Sequence, residues 1–246
     1  MDRESKKEKG MFVSLNKKVK SHIVFTSFVY RIIVYLLLPA ALTALCVWVG
    51  AYVGDMGLLL AATLLTVSEV ASDSWLFGGL HARDAEKMEY LKASGRGLSL
   101  VRDALAVDLL RKFLTALCTI TVSWLLIWLV KGGLERVPGM VVDFVSRGGA
   151  LQRIGLLAYL VLLTFCFSVL GTFLSRYGST IYGNLLLGYG AMSLVGLAGI
   201  LGPLFVEYPS NGIFLLDLLC LAAGMGVSVL AVRAAMRKVE GGYYDE

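Results

Sequence analysis

Apolar residues in this chain gather into long uninterrupted runs rather than alternating along it. Six runs approach the length of a membrane-crossing helix, at about 27–53, 57–80, 113–131, 154–175, 179–203 and 213–235. About twenty mostly apolar residues suffice to cross a bilayer as a helix. The pattern therefore predicts an all-α, polytopic membrane protein with six transmembrane helices. Short polar turns separate some runs: Gly54-Asp55-Met56-Gly57, Arg176-Tyr177-Gly178 and Glu207 to Gly212. Longer connections occupy 81–112 and 132–153.

Composition agrees with the pattern. Of 246 residues, 57% are hydrophobic and 17% charged, and the mean hydropathy is +0.75. Soluble domains are nearer 25% charged. The division reads as a basic leader and interfacial helix over 1–24, a transmembrane domain over 25–238 and a short tail over 239–246.

Charge sets the expected orientation. Apart from Lys131, Arg136, Arg147 and Arg153, every Lys and Arg falls on the side that holds the N-terminus, the 81–112 loop and the C-terminus. The positive-inside rule puts both termini and that loop in the cytoplasm, in a bacterial-type plasma membrane, with 132–153 outside. Topology thus accounts for the net charge of +5, and no nucleic-acid partner is needed.

Three polar features stand out against this background. Thr63, Thr66, Glu69 and Asp73 form one stripe on the second apolar run, with Ser72 beside it. A charge near mid-bilayer costs about 2.5–3.5 kcal/mol even on lenient scales, so the stripe must face protein or water. Thr66, Glu69 and Asp73 either line a substrate path or fix helix packing, with Arg31 or Arg176 as candidate partners for Glu69.

Ahead of the first run, Phe12, Leu15, Val19 and Ile23 share one helical face, with lysines off it. That spacing predicts an interfacial helix on an anionic lipid surface over 11–24. Between the second and third runs lies "ARDAEKMEYLKAS", 82–94. Ala85, Met88 and Leu91 align on one face, and Arg83–Glu86, Asp84–Lys87 and Glu89–Lys92 offer opposite charges at i, i+3. Such a helix suits docking to a soluble partner or lying on the bilayer, and mixed charge favours the partner. Residues 99–112 read as a second amphipathic helix running into the third span.

Catalytic sets are missing from the sequence. It holds no G-x-x-x-x-G-K-[ST], no H-E-x-x-H and two histidines, His22 and His81, so no catalytic, cofactor or metal residues are assigned. Four cysteines, Cys46, Cys118, Cys166 and Cys220, lie in separate apolar runs and read as buried free thiols. Thr115, Thr119, Thr121 and Ser123 can bond back to their own helix, and Gly50 and Gly54 have small-xxx-small spacing.

With an interfacial helix, six spans and the charged stretch "EKMEYLKASGRGL" between the second and third, the layout resembles the permeases of compact type-2 ATP-binding-cassette exporters. Lacking a large outer domain, it is most similar to the short permeases of Gram-positive peptide exporters of the phenol-soluble modulin type. The resemblance implies a coupling helix that seats Arg83, Asp84, Glu86, Lys87, Met88, Glu89, Tyr90, Leu91 and Lys92 on a separate nucleotide-binding subunit. That subunit would carry the ATP and Mg, and this chain no cofactor. It further implies a second permease copy or paralogue and an amphipathic or hydrophobic peptide as substrate. The rival expectation is a non-transporting membrane protein of immunity or scaffold type.

Overall fold

The computed structural model describes residues 16, 18–76, 96–130 and 150–175, with isolated positions between 219 and 233. Residues 82–94, Phe12 and Leu15, Arg176 and 132–149 lie outside the described residues, while 150–153, read as the end of a connection, already belong to a helix. What is described is helical throughout, with no β-strand. We label the helices α1 (18–25), α2 (Phe28–Val53), α3 (Met56–Leu76), α4 (Gly97–Val130) and α5 (Ala150–Ser175). Segments of α2, α4 and α5 are long and apolar enough to cross a membrane, and α3 carries a shorter apolar stretch over Met56–Ser72.

The first connection is tight because glycine permits it. Gly54 has φ 71°, a left-handed value that favours glycine, and its N–H donates to Gly50 O at 2.8 Å. Gly54 thus serves the turn rather than a packing stripe with Gly50. Directly after the turn, α3 closes on α2. A Cβ on Gly57 would stand 2.6 Å from Cys46 O and 2.9 Å from Gly50 Cα. Gly50 in turn makes room for Ile127 of α4, whose Cδ1 would stand 2.5 Å from a Cβ there. Glycines at these two positions allow three helices to converge at one end of the bundle.

From there α2 and α4 run parallel, and Tyr35 meets Arg111 at the other end. Helix α3 packs on α2, α4 and α5. Its Leu58 and Leu65 join Ile120 and Ile127 of α4 and Leu160 and Leu163 of α5 in the main core. Outward positions are apolar too: Leu36 and Trp48 on α2, and Leu114, Leu125 and Leu129 on α4, are exposed. An apolar exterior around an apolar core is the signature of a helix bundle meant for lipid. A C-terminal helical segment joins through Ser228, whose Oγ donates to Cys166 O at 2.8 Å.

Two local features depart from the reading of the sequence. The third apolar run and the amphipathic segment before it form one helix of 34 residues, α4. Charged residues at its start do not break it, because Arg and Lys are good helix formers. The second departure is a π-helical turn at Ile33–Leu37 inside α2, where Leu38 N–H reaches back to Ile33 O. Pro39 explains it: proline has no N–H to offer Tyr35 O, four residues earlier, and its ring would crowd that carbonyl. A widened turn relieves both.

Candidate functional site

Polar side chains are sparse in α3 and α4, yet they meet at one place. Glu69 projects from α3 and is buried. Arg111 of α4 grips it with both arms, Nη1 at 3.0 Å from Oε1 and Nη2 at 2.6 Å from Oε2. Such a two-pronged Arg–carboxylate contact fixes orientation as well as charge. Neither Arg31 nor Arg176 is needed as the partner. Arg31 instead turns its Nε to Ser27 O at 3.5 Å and its guanidinium over the Phe28 ring.

Spacing along α4 extends the contact. Arg111 Nε donates to Asp108 Oδ1 at 2.9 Å, one turn back. Lys112 Nζ lies 2.9 Å from Asp108 Oδ2. Both Asp108 and Lys112 are buried, and Lys112 is among the largest fully buried side chains. Two carboxylates and two cations cancel, which is what a low-dielectric site demands: an uncompensated buried charge costs several kcal/mol.

Two neighbouring elements close the site. The widened turn of α2 presents Tyr35 over Arg111, with the guanidinium carbon 5.3 Å from the ring centroid, within cation–π range. Tyr30 stands edge-on to Tyr35, their centroids 6.1 Å apart. From α1, His22 brings its ring to Tyr35, whose hydroxyl lies 3.3 Å from the ring nitrogens. His22 Nε2 is 4.0 Å from Asp108 Oδ1. Thr26 ends α1 by donating to His22 O at 3.1 Å, and Ser27 starts α2 by accepting from Tyr30 N–H at 3.1 Å. This elbow delivers His22 to the cluster. Burial is the main cause holding the His22 pKa below its usual 6.5; Asp108 opposes it, and Arg111, Arg31 and Lys112 reinforce it.

Of the residues singled out from the sequence, Thr66 is buried and donates to Ala62 O at 2.8 Å, so its hydroxyl is spent on its own helix. Asp73 sits within α3. Val19 and Ile23 are exposed, while Ser21 and His22 on another side of α1 are buried. Thr119 Oγ1, Ser123 Oγ and Ser168 Oγ are buried with no partner among the described residues; the expected back-bonding of Thr119 and Ser123 is not found. Cys46 and Cys166 are buried, but Cys118 is exposed on α4.

His22, Tyr35, Asp108, Arg111 and Lys112 were not among the site residues the sequence suggested. Their signal is the trio Asp108–Arg111–Lys112, spaced to pair along one helix directly before an apolar run. Among the described residues no group of His, Cys, Asp or Glu is arranged to hold a metal. Chemically, the arrangement is an ion-pair clamp between α3 and α4, with Tyr35 of α2 and His22 of α1 packed on it. Compared with family models, curated proteins and solved structures, the chain matches none.

Proposed function

We propose that this chain is the six-span membrane subunit of an ATP-driven exporter, with both termini cytoplasmic. A separate nucleotide-binding subunit carries ATP and Mg and grips residues 82–94; a second permease copy or paralogue completes the pathway. Amphipathic or hydrophobic peptides are the proposed cargo, by resemblance.

One observation carries the reading furthest. The helices on either side of 77–95, α3 and α4, are bolted together by Glu69 and Arg111 in the half of the bundle toward the end from which that segment departs. A motor pulling on the segment would then move α3 and α4 as a pair, rather than prising one from the other. The same clamp gives Glu69 a helix-packing task. The rival, an immunity or scaffold protein, predicts no ATPase neighbour and no energy-dependent efflux.

The test is co-expression with an ATPase subunit encoded beside it. A stable complex is expected, and Met88→Asp should release the ATPase without unfolding the membrane subunit. Failure to form a complex, or a complex indifferent to Met88→Asp, overturns the proposal.

A further inference from the structure

Helix α1 is docked in an unusual sense. Ser21 and His22 are buried against the bundle, whereas Val19, Ile23 and Val24 are exposed. Its polar side faces protein and its outward side is largely apolar with Lys20 on it, as expected of a helix wedged between a lipid surface and a polar cluster. The docked side therefore depends on the charge state of the cluster it meets. We propose that His22 is a proton-operated latch: neutral, it holds α1 on the bundle, and protonated, it releases α1 from the cluster formed by α2 and α4.

The charges around the ring give the direction. From α4, Asp108 stands at 4.0 Å, with Arg111 and Lys112 bound to it. From α2, Tyr35 offers its hydroxyl and Arg31 adds a further positive charge. From α3, Glu69 is already engaged by both Arg111 arms. Asp108 is shared by two cations before His22 could use it. A third positive charge enters a site whose four buried charges already balance.

Linkage follows from this. The docked imidazole has its pKa held below 6.5, and a released α1 returns it to the ordinary value. Between the two values the released state binds more protons, so acidification through 6.5 and below favours release. Each unit of depression permits about a tenfold change in the docking equilibrium. This device does not rest on the exporter reading and operates in a scaffold equally well.

The experiment uses the full chain in phosphatidylcholine–phosphatidylglycerol vesicles, with Cys46, Cys118, Cys166 and Cys220 each replaced by Ser. Ser21→Cys reports the docked side of α1 and Asn16→Cys, an exposed position, provides the reference thiol. The ratio of maleimide labelling rates at the two positions should rise severalfold from pH 7.5 to pH 5.5. His22→Gln, which stays neutral, should leave the ratio flat. An unchanged ratio in the parent, or an equal rise in His22→Gln, overturns the proposal. Should His22→Gln fail to fold, the ring of His22 is titrated by NMR in a His81→Gln background. A midpoint below 6.5 then supports the latch, and a midpoint at or above it refutes it.

Discussion

Arg111 and Glu69 lie 42 positions apart in the chain, yet the guanidinium takes both carboxylate oxygens, the shorter contact at 2.6 Å. Around that contact Asp108 and Lys112 complete a neutral set, and Tyr35 lies against the guanidinium. The stability of this end of the bundle should follow how many buried partners each charge holds, because a removed charge strands them.

Asp108→Asn and Lys112→Met test this. Asp108 serves Arg111 and Lys112 together, so its loss strands positive charge in a buried site and should cost about 3–5 kcal/mol. Lys112→Met removes one cation but leaves Asp108 bound by Arg111 and keeps the apolar volume. Its cost should be clearly smaller. Unfolding of each variant in a bilayer or mild detergent gives the order.

At the opposite end, the two glycines should respond differently to the same added methyl. Gly50→Ala meets the Ile127 side chain, Cδ1 at 2.5 Å and Cγ1 at 2.7 Å, and Ile127→Val, which removes Cδ1, should recover part of a loss of about 1–3 kcal/mol. Gly57→Ala meets backbone atoms, Cys46 O and Gly50 Cα, which cannot step aside. It should cost more, and no trimming of Ile127 should restore it. Thermal stability of the two single and two double variants measures this.

Tyr35 can be dissected in two steps. Tyr35→Phe keeps the ring over Arg111 and loses the hydroxyl beside His22, for about 1 kcal/mol. Tyr35→Leu also removes the aromatic face and should add about 1–2 kcal/mol more. If the two variants unfold alike, the ring does nothing for Arg111.

Acid should weaken the protein before its carboxylates titrate. His22 has a folded pKa below its unfolded value of 6.5, so the stability it contributes is full above 6.5 and declines as pH falls below it. Unfolding followed from pH 7.5 to pH 5 should show the decline, and His22→Gln should lessen it.

Much of the helical layout could be read from hydropathy, because a bilayer leaves a buried backbone few other choices. The apolar runs at 27–53, 57–80 and 154–175 overlap α2, α3 and α5. A helix over 99–112 was legible, but not that it and the third span form one unbroken helix: Arg102, Asp103, Asp108, Arg111 and Lys112 interrupt hydropathy but not helix geometry. The partner of Glu69 was missed for the same reason. A segment read as an amphipathic helix running into the third span gave no cause to look there for a buried cation. Nor could the register of two helices joined by a long connection be read from spacing within either. Pro39 was visible in the sequence, but its consequence, a widened turn that aims Tyr35, depends on what lies opposite.

The central claim is that Glu69 and Arg111 act as one unit joining α3 to α4. A double-mutant cycle measures it: Glu69→Gln, Arg111→Gln and the pair together, unfolded reversibly in the same lipid. Each single change should cost about 3–5 kcal/mol, and the double should cost far less than their sum, because neither charge is then left alone. Strictly additive losses, or single changes that cost nothing, would contradict the account.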